Sequence, residues 1–208
     1  MPLTGSWCTK CLSTQNTNKK YQCLNTLNMF FSKKKKKSSE LVGIFLKGLQ
    51  METEVDYREI TTTLNYRCKN LVSQNDNGLM NLVYARIALQ NQNVYQNFNR
   101  EEFENIHQWL SLFILHNEGE YALNQLKKYT NIFVNASKIM VAAGPIAVAD
   151  AILKDWIDMD SNSCINKDVI DKVIYAELIN ITKVGMLNYR TNWDDLKNKY
   201  VIKYDNLP

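Results

Sequence analysis

The chain has 208 residues, 45% of them hydrophobic and 22% charged, which is enough apolar content for one core with an appendage. No run reaches the roughly 18 uninterrupted apolar residues that a membrane-spanning helix needs, because Lys47, Lys138, Asp150 and Lys154 interrupt the best stretches. The formal net charge of +4 is unevenly divided: residues 1–39 hold eight of the 25 basic residues and none of the 21 acidic ones, so residues 40–208, with 17 basic and 21 acidic groups, sum to −4.

A basic segment thus precedes a mildly acidic body. Residues 1–39 are also rich in Ser, Thr, Asn and Gln, a composition that buries too little apolar surface to offset the entropy of ordering, and a disordered Lys-rich arm is expected there, followed by a single helical domain over 40–208. The opening stretch MPLTGSWCTKCLSTQ has no apolar run of signal-peptide length, which points to an intracellular, reducing location, cytoplasmic or membrane-peripheral. The sequons at Asn135 and Asn180 then carry no glycan.

Leu41–Leu49 is apolar but short, and Gly43 and Gly48 weaken it as a helix. Between Val55 and Cys68 the alternating set Ile60, Thr62, Leu64, Tyr66 and Cys68 predicts a strand, hence a small β element near residues 54–70. Asn75–Gly78 reads as a turn, and helices follow. The first covers Leu79–Gln90. The second is capped by Asn99, has Glu101 and Glu102 in its first turn, and is ended by Asn117 and Gly119; it is apolar on several sides and so expected to be central. Ala122, Leu126, Tyr129, Phe133, Ala136, Met140 and Ala143 then form a helical seam, Gly144-Pro145 separates it from a helix through Ile157, and further helices are expected over 168–188 and 191–200, the last with Thr191 and Asp194 at capping-box spacing. The fold class is mainly α: a compact helical bundle of about five to six helices.

Chemistry is sparse. Cys8-x-x-Cys11 with Cys23 would give three thiolates, and zinc would need a fourth ligand from Cys68, Cys164 or a partner. The pattern is incomplete, and free thiols in the arm are expected. His107 and His116 lie nine positions apart on one helix, on opposite faces, so neither a shared metal nor an acid/base pair results. No glycine-rich phosphate cradle or nucleophile motif is present. Glu101-Glu102 and Asp194-Asp195 sit in first helical turns, where the helix dipole accounts for them. The loop Asp158–Val169 resembles the calcium loop of EF-hand proteins at Asp158, Asp160, Asn162 and Asn166, but Ser163 replaces the turn glycine and Val169 the bidentate glutamate. Asn91–Glu102 has the closing glutamate but few ligands. No catalytic residue, metal or cofactor is expected, and the protein is read as non-enzymatic.

What remains is Lys33, Lys34, Lys35, Lys36 and Lys37, contiguous, with no acid among them, and flanked by Phe30, Phe31 and Phe45. Such a run suits a polyanion. At an anionic membrane each lysine contributes about 1 kcal/mol, with the three phenylalanines as candidate membrane contacts; RNA phosphates would serve equally, and nuclear import needs only the lysines. The layout, a lysine-rich arm before a compact domain, resembles that of small matrix-type proteins of RNA viruses, although the Pro-Pro-x-Tyr motif often found in them is missing from this sequence. The expected function is an assembly or adaptor protein whose helical body binds protein partners, or a homo-oligomeric copy, while its arm touches an anionic membrane or RNA. A nucleocapsid-type or regulatory nucleic-acid-binding protein is the alternative, and a degenerate EF-hand-like or enzymatic protein a further one. The acidic body, whose one basic pair of note is Lys127-Lys128, argues against nucleic acid.

Overall fold

The computed structural model describes residues 33–159, 171–205 and 207, the side chains of 92–97 and 158–159 excepted. The chain divides into a unit Met1–Lys34 and a unit Lys35–Pro208. In chain order the described elements are β1 (Lys34–Lys37), α1 (Ser38–Arg67), α2 (Asp76–Asn97), α3 (Arg100–Ile139), α4 (Ala143–Met159), α5 (Lys172–Leu187), α6 (Trp193–Lys199) and β2 (Tyr200–Lys203). The second unit is the expected helical bundle, with β1 and β2 paired in a two-stranded sheet.

The bundle is built around α2, in which every residue from Asn81 to Gln90 is buried and against which all five other helices pack. Its start is set by Asn75, whose Oδ1 accepts the Gly78 N–H at 2.7 Å, so the segment expected as a turn is a helix cap. A helix covered on all sides has no solvent-facing stripe, and this moves the helix after Asn99 from the centre to the flank: α3 buries Ile106, Leu110 and Ile114 but exposes Leu115. Asn99 caps it as expected, with a full capping box to Glu102, and Gly119, at φ 83°, breaks it. Beyond that break the seam is buried at Ala122, Leu126 and Tyr129, half-buried at Phe133 and Ala136, and exposed at Met140.

The strand expected near 54–70 is instead the second half of α1. Buried Leu41, Phe45, Leu49, Thr53, Tyr57, Ile60, Thr61 and Leu64 recur every three or four residues, and this helical stripe outweighs the alternation, whose Thr62 and Tyr66 face solvent. The β-branched run is accommodated because Thr61, Thr62 and Thr63 donate to the carbonyls of Tyr57, Arg58 and Glu59 at 2.9, 2.7 and 2.9 Å.

At the middle of α2 lies Arg86, whose side chain is fully buried. Its Nη2 donates to Asp56 Oδ2 on α1 at 2.5 Å and to the carbonyls of Gly185 and Asn188 at 2.8 and 3.1 Å. Nη1 donates to Thr53 Oγ1 at 2.8 Å and Nε to the Met186 carbonyl at 3.3 Å. One cation therefore joins α1 to α2 and neutralises the carbonyl end of α5. The approach of α5 depends on Gly185, where a Cβ would collide with the Ile60 side chain.

Below this network Phe45 has 0% exposure and stacks on Trp193 of α6, ring centroids 4.0 Å apart. α6 itself starts at Asn192, whose Oδ1 accepts the Asp195 N–H at 2.8 Å. Thr191, expected to cap it, instead gives its N–H and hydroxyl to Glu52 at 3.0 and 3.2 Å.

Two outcomes follow in stability. Arg86→Met removes one partner of a buried pair and strands Asp56 with three carbonyls, so urea denaturation should show a loss of about 3–5 kcal/mol; a loss below about 1 kcal/mol would mean that the network does not hold the helices together. Phe45→Ala should cost about 3–5 kcal/mol by the same measurement, as befits a core aromatic.

Candidate functional site

Four lysines make a poor strand, since Lys is depleted in sheets. β1 is extended because β2 lies beside it, and Tyr200, Val201 and Ile202 are good strand formers. A two-stranded ribbon is marginal alone, and several bonds tether this one. Ile202 packs against the core. Ser38 Oγ donates to the Lys203 carbonyl at 3.4 Å. Ser39 donates from N and Oγ to the Asp205 carboxylate at 3.2 and 2.5 Å, so Asp205 serves as the acceptor that Lys37, the residue before α1, lacks. Asn105 and Trp109 of α3 hold the Asp205 carbonyl at 3.2 and 3.3 Å. Nearby, partial burial pushes the Glu102 carboxyl up, but the Asn99 N–H, the Tyr204 hydroxyl and Lys197 outweigh it and hold the group below the usual carboxylate range.

Side chains alternate across the ribbon. Lys36 is half-buried and pairs with Glu40 at 2.9 Å, a bond that holds its ammonium above the ordinary lysine value. Lys35, Lys37, Val201 and Lys203 are exposed. No ion pair occupies Lys35, Lys37 or Lys203 among the described residues. Lys199, also exposed, lies 5.6 Å from the Tyr200 ring centre. The five lysines expected to act together are thus distributed: Lys35 and Lys37 face outward, Lys36 is engaged, Lys34 opens the strand, and Lys33 precedes it at the end of the first unit. The arm expected to run to residue 39 gives way to regular structure at Lys34.

Phe45, expected to touch membrane, is core, as its stack on Trp193 shows. Phe30 and Phe31 lie outside the described residues, as do Cys8, Cys11, Cys23 and Cys164; Cys68 is half-buried and free. The calcium-like loop 158–169 is also outside them, apart from the helical backbone of Asp158 and Met159. Asn91–Glu102 is no loop: it contains the end of α2 and the cap of α3. His107 is exposed as a residue, but its ring stacks on Phe103 at 5.6 Å, and the resulting partial desolvation holds its pKa below the usual value. His116 is exposed. Lys128 is committed to Asp155, both carboxylate oxygens lying within 2.7 Å. Among the described residues no group of three or more His, Cys, Asp or Glu is placed to hold a metal, and no helix is long and apolar enough to cross a membrane.

Sequence reasoning missed two further surfaces. A groove of about 700 Å³ between α1 and α5 is lined by Ile60, Ile181, Val184 and Leu187, with Asp56 and Glu59 at its polar side. The turn joining α3 to α4 exposes Ile139, Met140, Val141 and Ala142 in succession. The apolar run KIMVAAGPIAVA was legible, but its exposure was not. No protein-family model, no curated protein and no solved structure matches this chain.

Proposed function

We propose that this protein is a non-enzymatic adaptor or assembly protein that attaches to an anionic membrane surface through its lysine ribbon and engages protein partners through the helical body. The observation that carries this reading is the outward face of the ribbon, where Lys35, Lys37 and Lys203 stand exposed with no carboxylate partner among the described residues. Val201 shares that face, which suits a lipid headgroup layer better than phosphates alone. RNA is the competing polyanion. Single-strand binding relies on aromatic platforms between cations, and here Tyr200 lies half-buried beneath Lys199 while Tyr204 is tied to Glu102. The α1–α5 groove, apolar along its floor, is the part of the body suited to a partner.

At about 1 kcal/mol per lysine, the variant Lys35→Gln/Lys37→Gln/Lys203→Gln should bind phosphatidylserine vesicles roughly 100-fold more weakly at low salt, with a thermal melt no lower than the parent's. Parent-like vesicle binding by that variant would refute the ribbon's role. A parent that binds single-stranded RNA with steep salt dependence and ignores vesicles would instead establish the nucleic-acid alternative.

A further inference from the structure

The helix hairpin of α3 and α4 ends in an apex that no part of the described chain covers. Ile139 is 89% exposed, Met140 60% and Val141 82%; Ala142 is exposed as well, and Ile146 in the first turn of α4 is 42% exposed. Four successive exposed apolar residues are a liability in water unless a surface receives them.

Charge around the apex says which surface. From Tyr121 to Ala149 the chain contains no Asp or Glu, while Lys127, Lys128 and Lys138 lie within it, Lys128 being neutralised by Asp155. Lys138 immediately precedes the apex and reaches only Asn135 Oδ1, at 3.4 Å. The first carboxylate of α4, Asp150, is already bound by Lys154 at 2.6 Å and the Tyr175 hydroxyl at 2.8 Å. It also lies about 10 Å along the helix from Ala143. An apolar tip of that depth, bordered by a long lysine and with no carboxylate in its own sequence from Tyr121 to Ala149, matches the boundary of headgroups and acyl chains in an anionic bilayer, where apolar groups sink about 5–10 Å.

Two of the backbone N–H groups at the apex are bonded within the chain. The Met140 N–H donates to the Ala136 carbonyl at 3.2 Å and the Ala143 N–H to the Met140 carbonyl at 2.8 Å. Pro145 has no N–H to leave unsatisfied.

We propose that the α3–α4 apex, Ile139–Ala142 with Ile146, inserts into the interface of an anionic lipid bilayer, with Lys138 at the headgroups. This extends the membrane reading given above and rests on it, but adds a contact driven by apolar burial, which salt does not screen.

The test is sedimentation with vesicles of equimolar phosphatidylserine and phosphatidylcholine at about 0.1 M and about 1 M salt, where the screening length falls from ~10 Å to ~3 Å. The full chain is compared with Ile139→Ser/Met140→Ser/Val141→Ser, with the single variant Val141→Asp in case the triple variant folds poorly, and with the ribbon variant. Thermal melts confirm folding. The expected result is binding by the parent that persists in part at high salt, is lost about tenfold or more in both apex variants, and is retained at high salt by the ribbon variant. Apex variants that bind like the parent at high salt would overturn the inference while leaving the ribbon's role intact. A parent that elutes as a dimer which Val141→Asp converts to a monomer would also overturn it, and would assign the apex to a second copy. A parent that binds no vesicles at either salt would sink the membrane reading as a whole.

Discussion

Arg86 cannot reach water, because the helix that carries it is enclosed from Asn81 to Gln90. Its charge must be met entirely by protein groups, and those that meet it come from two other helices. Thr53 and Asp56 fix the rotation of α1 about its axis, and the carbonyls of Gly185, Met186 and Asn188 fix where α5 ends. A buried ion pair of this kind is a weak source of net stability relative to well-packed apolar groups. Its value here is positional: alternative rotations of α1 or α5 would leave a guanidinium unpaired in the core. The α1–α5 groove is a by-product of that constraint, since Asp56 and Gly185 both contribute to its wall.

The same logic of distant partners builds the lysine ribbon. Nothing local in Lys34–Lys37 favours a strand, and its neighbour in the sheet lies at the other end of the chain; Ser38 and Lys203, whose hydrogen bond joins the two ends, are 165 residues apart. Asp205 supplies the missing acceptor at the start of α1, and Asn105 and Trp109 hold Asp205 in turn. Glu102 adds an electrostatic tie to Lys197 at 3.3 Å. The outward presentation of the lysines thus depends on the C-terminal segment being seated, which couples the surface to the integrity of the whole unit.

Much of the bundle was legible because its signals are local. Asn99 with Glu102, and Gly119, marked helix limits through cap and φ chemistry; Gly144-Pro145 marked the neighbourhood of a limit but lies inside α4, the break itself falling at residues 140–142, and the seam from Ala122 to Tyr129 showed itself by spacing. Most of the failures are non-local. Alternation over Ile60–Cys68 resembled a strand until the stripe running from Leu41 to Leu64 decided the matter. Phe45 looked like a membrane contact because it follows a lysine run, and its burial is set by Trp193 on a helix far along the chain. Lysine-rich composition argued for disorder where pairing with β2 imposes order. Arg86 did have a signal: a single cation in NLVYARIALQ, a stretch otherwise without charge. A charged residue isolated on an apolar helix calls for a partner, and the candidate partners are the polar residues of neighbouring helices.

Holding like charges in a strand has a thermodynamic consequence. Cations on adjacent positions of a ribbon repel one another, and folding brings Lys203 alongside them. Only Lys36 is relieved by an ion pair among the lysines of β1 that belong to the main unit. A polyanion bound at the outward face, as proposed, would remove this repulsion, and if it bound the folded ribbon better than an unfolded chain whose lysines are scattered it would stabilise the seated C-terminal segment by mass action. Because that segment also closes the ends of α1 and α3, an anion bound at the ribbon would tighten the same end of both helices. In the proposed membrane reading the apex, at the C-terminal end of α3, would contribute through apolar area instead, and the two contacts would respond to different conditions: one would weaken as salt screens charge, the other would persist because its driving force is the exclusion of water from side chains.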